Sequence, residues 1–142
     1  MVPILSNDEN LNLYTKYGWA ETTGWGYSRR TPIGLPIGTP LMLQTGTLPL
    51  INHDFCNAVI WENDPFITPN MVCAGSEGEF NDGISSCMGD SGGPLTVTVD
   101  GTKLLLGAVS FGQARCSPDW AGVYTNLATA RMQDFVNDII NA

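Results

Sequence analysis

The sequence of 142 residues predicts an all-β fold: a small six-stranded antiparallel β-barrel followed by a C-terminal α-helix. Three patterns support this prediction. The 16 glycines and 9 prolines are spread along the whole chain and separate short apolar runs. Residues 95–99 alternate between apolar and polar side chains, as a half-buried strand does. Near the C-terminus, apolar residues recur at helical spacing instead.

Six segments have the composition of strands, and turn residues separate them. Gly24-Trp25-Gly26 ends the first strand, and Asp100-Gly101 predicts a hairpin turn between the fourth and the fifth. The predicted strands are residues 19–27, 41–51, 71–74, 95–99, 103–111 and 122–127. We find no internal repeat and no second domain, so residues 1–142 are expected to form one domain.

The longest connection, residues 28–40, is dense in glycine and proline and is predicted to be a mobile surface loop. It contains the adjacent pair Arg29 and Arg30. This pair is either an exposed dibasic site that a trypsin-like enzyme could cut or, more simply, two solvated charges. Residues 52–58 are expected to form a short helical turn, and residues 75–83 a polar loop.

The apolar residues near the C-terminus predict an amphipathic helix. We expect its apolar stripe to pack against the core, which requires no cofactor. The stripe consists of Met132, Phe135, Val136, Ile139 and Ile140.

The formal net charge of −8 excludes some classes of partner. An acidic surface repels phosphate backbones, so we expect no nucleic-acid partner. No apolar stretch approaches the length of a membrane-spanning helix, so we expect no membrane partner either. Residues 1–10 lack the pattern of a secretion signal, and the signal of an exported parent protein would therefore lie upstream of Met1.

The four cysteines favour disulfides over a metal site. Cys56, Cys73, Cys87 and Cys116 match no familiar zinc spacing, and the chain has one histidine, His53. Two disulfides imply an oxidising, extracellular location. Four cysteines permit three pairings, and their positions do not choose among them.

The run from Cys87 to Pro94, CMGDSGGP, is the strongest chemical motif in the sequence. A serine hydroxyl is a poor nucleophile, so catalysis requires a nearby base and donors for the oxyanion. The glycines around Ser91 let the backbone bring N–H groups close to a substrate carbonyl. The alternative for this segment is an ordinary serine in a glycine-rich surface turn.

The same run also satisfies the G-x-S-x-G pattern of α/β-hydrolases. That fold requires a helix directly after the serine and a histidine later in the chain. Here a strand follows Pro94, and no histidine follows Ser91. The esterase interpretation therefore fails on both requirements.

The run containing Ser91 resembles the serine motif of the trypsin and chymotrypsin family, and the resemblance extends over nearly the whole chain. The landmarks occur in the order found in the second barrel of that family. They are Gly24-Trp25-Gly26, Leu48-Pro49-Leu50, the segment 71–75, the serine run, Ser110-Phe111-Gly112, and Gly122-Val123-Tyr124-Thr125 before the closing helix. The resemblance implies the C-terminal barrel of a trypsin-like serine protease domain.

The resemblance assigns roles to residues of the serine run. Ser91 is implied to be the nucleophile of a serine endopeptidase, and the N–H groups of Gly89 and Ser91 are implied to form the oxyanion hole. Asp90 is implied to make the activation ion pair with a freed N-terminal ammonium. Cysteines 56 and 73 are implied to pair, as are cysteines 87 and 116.

The resemblance also implies a specificity pocket with Ser85 at its base. The other implied pocket residues are Met88, Ser110, Gly112 and Gly122. An uncharged slot accepts large apolar side chains, so cleavage after Phe, Tyr, Trp or Leu is expected. Arg115 at the pocket mouth or Asp82 in a shifted alignment would change this preference.

The histidine and aspartate of the triad belong to the N-terminal barrel of the family, and we expect this chain to lack them. The register of His53 puts it on the outer surface of the barrel, away from catalysis. Without the activating ammonium, Asp90 is expected to turn to solvent and to leave the oxyanion hole and pocket disordered. The isolated chain is therefore expected to be inactive.

The implied partners are a polypeptide substrate, protein inhibitors and the missing N-terminal barrel. The substrate is expected to add as an antiparallel strand along residues 110–112. No cofactor and no metal are expected. The alternative function is that of a non-catalytic protease homologue, a protein-binding module. The intact Ser91 and Gly89 favour the enzyme, because a binding module does not need them.

Overall fold

In this computed structural model the described residues are 3–7, 18–33, 35–62, 66–75, 84–113, 116–117 and 120–142. Within them, eight strands and two α-helices are numbered here in chain order. The strands are β1 (Trp19–Gly24), β2 (Arg29–Arg30), β3 (Pro36–Ile37), β4 (Gln44–Ile51), β5 (Met71–Ala74), β6 (Pro94–Val99), β7 (Thr102–Phe111) and β8 (Gly122–Asn126). The helices are α1 (His53–Phe55), which continues into a π-helical turn (Cys56–Ile60), and α2 (Ala130–Ile140).

Six of these strands close into an antiparallel barrel in the order β1-β4-β5-β8-β7-β6, and β6 pairs back with β1. The predicted fold class is therefore confirmed. The hairpin turn between β6 and β7 is formed by Asp100 and Gly101, with φ angles of 48° and 78°. These left-handed conformations suit a tight two-residue hairpin.

The barrel interior is filled by apolar side chains that alternate along the strands. Leu48 and Leu50 of β4, Leu95 and Val97 of β6, and Leu106 of β7 all belong to this core cluster. A second cluster surrounds the disulfide between Cys56 and Cys73 and includes Ile51, Ile67 and Val123. The two clusters hold β7 and β8 in place, and these strands carry one wall of the site.

Two parts of the prediction require correction. The segment 28–40 is more ordered than a plain loop, because β2 and β3 pair within it as a separate two-stranded sheet. The α2 helix forms, with the Thr129 hydroxyl accepting a bond from the Met132 N–H at its start. None of its residues is buried, however, and Phe135, Ile139 and Ile140 are 58%, 61% and 59% exposed. The expectation that this stripe packs in the core is wrong.

None of the helices in the described part of the chain is long and apolar enough to cross a membrane.

Candidate active site around Ser91

Ser91 lies in a tight turn that leads from Cys87 into strand β6. Gly89 and Gly92 have φ angles of +98° and +78°, which residues with a Cβ rarely adopt. The Asp90 N–H bonds to the Cys87 carbonyl at 2.9 Å, and the Gly93 N–H bonds to the Asp90 carbonyl at 2.8 Å. The turn therefore needs its glycines, and it leaves Ser91 exposed at its tip.

The end of this turn is fixed to β7 by two hydrogen bonds. The Gly92 N–H donates to the Val109 carbonyl and the Val109 N–H donates to the Gly93 carbonyl, both at 2.9 Å. A Cβ on Gly93 would lie 2.7 Å from the Asp90 carbonyl oxygen, so glycine is required there. These contacts set Ser91 beside the end of β7, where residues 110–112 begin to extend past the pairing with β6.

The peptide that joins Met88 to Gly89 has a defined orientation. The Met88 carbonyl accepts a hydrogen bond from the Tyr27 N–H at 3.0 Å. In a trans peptide the N–H points opposite to the C=O, so the Gly89 N–H points away from Tyr27. Among the residues that the structure describes, no acceptor contacts the N–H of Gly89 or of Ser91. Within the described part of the chain, nothing occupies either donor.

The Asp90 carboxylate points inward and is held by two backbone donors. The Gly26 N–H donates to Oδ1 at 2.7 Å, and the Cys87 N–H donates to Oδ2 at 2.9 Å. A Cβ built on Gly24 would overlap Oδ1, and one built on Gly26 would overlap the whole carboxylate. The expectation that Asp90 turns to solvent is therefore wrong, because the chain itself supplies donors to both carboxylate oxygens.

A cavity of about 280 Å³ opens beside Ser91. It is bounded by the serine turn, by the end of β7 and by β8. Of the predicted pocket residues, four line it: Met88, Ser110, Gly112 and Gly122. None of the described residues that line it is charged. Arg115 and Asp82, which were considered as modifiers of the pocket, lie outside the described residues.

Ser85, predicted at the pocket base, does not line this cavity. Its hydroxyl donates to the Cys116 carbonyl at 3.1 Å, and the residue borders the neighbouring cavity instead. Ser86 and Tyr124 occupy the pocket side, with their hydroxyl oxygens 2.7 Å apart. Strand alternation could have identified Tyr124, because it stands two residues after Gly122 and so shares its face of β8.

Burial raises the pKa of the Tyr124 hydroxyl to about 12, and the charge of Asp90 adds to the increase. The hydrogen bonds to Ser86 and Thr22 oppose it. The phenol therefore stays neutral over the whole physiological range, and its hydroxyl acts as a hydrogen-bonding group rather than as an acid.

A second cavity, of about 230 Å³, lies on the other side of the serine turn. Asp90, Gly24, Gly26 and Ile84 are among its lining residues. Asp90 thus bonds within the turn that carries Ser91 and also lines this second cavity, which is large enough for a small side chain or a chain end.

Two disulfides brace the region. Cys56 is bonded to Cys73, and Cys87 is bonded to Cys116, which is the pairing that the resemblance implied. The second bridge ties the start of the serine turn to the segment before β8. In the described part of the chain, no group of three His, Cys, Asp or Glu side chains is arranged to hold a metal ion.

His53 lies in α1 and is not among the residues that line either cavity. Its Nδ1 is 3.6 Å from Asp54 Oδ1. Its side chain is 27% exposed, and its Nε2 is buried with no hydrogen-bond partner among the described residues. His53 is thus more enclosed than the prediction of an outer-surface position implied, and it takes no part in the geometry around Ser91.

Comparison with known proteins gives matches to a family model and to individual relatives. A family model described as Trypsin matches residues 18–136. The protein Serine protease 41 of Homo sapiens is 35% identical to the chain over 108 residues, which is 75% of this chain. The match covers only 32% of that relative, so the chain spans about a third of its length.

Proposed function

Because the chain belongs to the trypsin family of serine proteases, we propose that it is the part of a serine endopeptidase that carries the nucleophile, Ser91. The observation that carries the proposal is the turn from Cys87 to Gly93. It exposes the Ser91 hydroxyl beside an uncharged cavity and leaves two neighbouring N–H donors without an acceptor among the described residues.

In the proposed reaction, the Ser91 hydroxyl oxygen attacks the carbonyl carbon of the scissile peptide bond. The N–H groups of Gly89 and Ser91 stabilise the negative charge that develops on the carbonyl oxygen. Loss of one such donor typically costs on the order of a hundredfold to a thousandfold in rate. The backbone bonds of the turn hold these donors in place before substrate binds, so little reorganisation is needed.

The proton acceptor is proposed to come from outside these 142 residues. The chain contains one histidine, His53, and that residue lines neither cavity. A folded partner segment, the N-terminal barrel of the family, would supply a histidine and the aspartate that orients it. The isolated chain is therefore proposed to have negligible peptidase activity.

The cavity of about 230 Å³ next to Asp90 is proposed to receive the ammonium group of an activating chain end. Two N–H donors already satisfy part of the carboxylate. A cation beside a half-buried carboxylate would add a charge-assisted bond and would stabilise the serine turn further. Asp90 would then form its implied ion pair in addition to the two bonds that the chain already makes to its carboxylate.

The substrate is proposed to lie against residues 110–112 and to place a large apolar side chain in the cavity of about 280 Å³. Uncharged walls favour Phe, Tyr, Trp or Leu over Lys or Arg, because an unpaired cation in such a slot loses its hydration. Protein inhibitors would bind along the same edge. The two disulfides support a proposed extracellular location.

The second candidate function is that of a non-catalytic protein-binding module. This candidate is compatible with the position of His53, which lies outside the described lining of the Ser91 cavity. The upstream reading frame of the gene discriminates between the two candidates. A histidine and an aspartate in their family motifs support the enzyme, and their replacement supports the binding module.

A fluorophosphonate probe tests the proposal on the chain as it stands. We expect negligible labelling without added base, and labelling confined to Ser91 when imidazole is supplied as a proton acceptor. The Ser91→Ala variant is the matched control and should stay unlabelled. Rapid labelling without imidazole would show that the chain has its own base. Equal labelling of Ser110, an exposed serine at the same cavity, would contradict the assignment of Ser91 as nucleophile.

A further inference from the structure

The exposed apolar surface of this chain is concentrated in one segment, residues 25–43, which contains the ribbon formed by β2 and β3. Of the sixteen large apolar side chains that are exposed in the described part of the chain, eight belong to this segment. The most exposed of them are Leu41 at 101%, Met42 at 77% and Ile33 at 72%. Single apolar side chains are normal on a protein surface, but a concentration of them marks contact with a protein or a membrane.

The segment also differs from the rest of the chain in charge. It contains two of the six basic residues, Arg29 and Arg30, and none of the fourteen acidic residues. Its net charge is therefore +2, and the rest of the chain carries −10 of the total of −8. An anionic surface repels such a protein everywhere except at this segment. The charge therefore favours an anionic partner and indicates the face that would meet it.

The positive charge and the apolar side chains meet at a cavity of about 570 Å³. Arg29, Leu41 and Met42 all line it. A Cβ on Gly38 would lie 3.9 Å from Arg29 Cδ, so the arginine stem lies close to that glycine. A guanidinium group binds phosphate oxygens well, and the leucine and methionine side chains beside it can enter an apolar layer.

Backbone hydrogen bonds hold the ribbon in shape at both of its ends. The Ser28 N–H donates to the Gly38 carbonyl at 3.0 Å, and the Thr31 N–H donates to the Leu35 carbonyl at 2.8 Å. Because the segment is already folded, docking loses little free energy in ordering it.

We propose that segment 25–43 binds the surface of an anionic lipid bilayer. The side chains of Ile33, Leu41 and Met42 enter the boundary between headgroups and acyl chains, and Arg29 lies at the level of the lipid phosphates. The expectation of no membrane partner considered only spanning helices, and interfacial binding requires none. The proposal is independent of the function proposed for Ser91, because no described residue of the segment lines the Ser91 cavity.

The exposed apolar residues of α2 provide a comparison within the same chain. Phe135 and Ile139 are 58% and 61% exposed, but Asp134 and Asp138 lie on the same helix. With Arg131, the helix has a net charge of −1, so an anionic bilayer repels it. This helix therefore supplies control positions that are exposed and apolar but lack the positive charge.

Vesicle flotation of the 142-residue chain tests the proposal. We expect the chain to float with vesicles made of equal parts of phosphatidylserine and phosphatidylcholine. Binding to pure phosphatidylcholine should be at least about tenfold weaker, because each arginine near an anionic surface adds roughly fivefold in affinity. High salt should reduce this difference. Absence of binding to the mixed vesicles, or equal binding to both kinds, would overturn the proposal.

Two double variants separate the apolar and the charged contributions. Leu41→Ser/Met42→Ser should weaken binding to the mixed vesicles by at least about tenfold, because two inserted side chains become polar. Arg29→Gln/Arg30→Gln should weaken binding to the mixed vesicles by at least about tenfold and leave binding to pure phosphatidylcholine unchanged. Unchanged binding of either variant to the mixed vesicles would contradict the proposal.

Two variants on α2 are the matched controls. Ile139→Ser removes an exposed apolar side chain and Arg131→Gln removes a positive charge, and both should bind at least as well as the original chain. A loss equal to that of the loop variants would show non-specific adhesion and overturn the proposal. Sedimentation equilibrium without lipid tests the other occupant, a second copy of the chain. Self-association that Leu41→Ser/Met42→Ser abolishes, without binding to mixed vesicles, would assign the segment to a protein interface instead.

Discussion

The contact between Gly26 and Asp90 gives the most quantitative prediction. A Cβ built on Gly26 lies 2.5 Å from Asp90 Cγ and within 2.6 Å of both carboxylate oxygens. Gly26 does not have a positive φ, so alanine is compatible with the backbone there. The Gly26→Ala substitution therefore tests the position of the carboxylate rather than the conformation of the chain.

The magnitude follows from the bonds that must break. Displacing the carboxylate removes the bonds from the Gly26 N–H at 2.7 Å and the Cys87 N–H at 2.9 Å. A hydrogen bond to a charged group contributes about 1.5–3 kcal/mol. Since Asp90 is half-buried, water recovers part of that sum when the side chain moves out. We expect the free energy of unfolding to fall by about 2–4 kcal/mol.

A double-mutant cycle isolates this effect. In an Asp90→Ala background the carboxylate is gone, so Gly26→Ala should cost nothing or should stabilise by about 0.4–1 kcal/mol through the unfolded chain. Urea unfolding followed by fluorescence of the four tryptophans is the assay. Gly112→Ala is the control, because the nearest atom to its Cβ is 3.9 Å away. An equal cost of Gly26→Ala in both backgrounds would refute the inward position of Asp90.

Three further predictions concern Tyr124, the disulfides and the cavity. Unfolded tyrosine loses its proton near pH 10, whereas folded Tyr124 keeps its proton until about pH 12. As the pH rises from 10 to 12, the free energy of unfolding should therefore fall by about 2–3 kcal/mol. In urea titrations, the Tyr124→Phe variant should lack this part of the decrease. Replacing either cysteine pair by alanines should cost about 3–4 kcal/mol in the same assay, and only loss of Cys87–Cys116 should also alter labelling of Ser91. In the Gly112→Val variant, the added side chain should narrow the cavity and weaken binding of a phenyl-bearing boronic acid by about tenfold or more, while binding of methylboronic acid is unchanged. NMR titration measures both affinities. Equal loss of affinity for the two compounds would contradict the claim that this cavity receives the large side chain.

The parts of the fold that follow local periodicity were predictable from the sequence. The alternation in residues 95–99 and the Asp100-Gly101 turn define the β6–β7 hairpin, and the structure has both. The helical spacing near the C-terminus also predicted α2. Periodicity identifies which face of a helix is apolar, but it does not say what covers that face. For this reason the exposure of Phe135 and Ile139 could not be predicted from the periodicity.

The backbone of the candidate site was predictable where a sequence motif determines its conformation. The orientation of side chains was less predictable where it depends on partners distant in the sequence. The glycines around Ser91 require a turn with positive φ, and Gly89 and Gly92 have it. Which of Ser85 and Ser86 faces the cavity depends on partners far along the chain, the Cys116 carbonyl and the Tyr124 hydroxyl. The inward position of Asp90 depends in the same way on the Gly26 N–H, 64 residues away in sequence.

The most direct test of the central claim uses a phenyl-bearing boronic acid and NMR of the backbone amides. Boron accepts the Ser91 oxygen and forms a tetrahedral, negatively charged adduct that mimics the proposed intermediate. If the turn directs two donors at one point, the amide protons of Gly89 and Ser91 shift downfield together on binding, and the Ser91→Ala variant shows no such shift. Binding that leaves these two amides unmoved, or that shifts them equally in Ser91→Ala, would contradict the account.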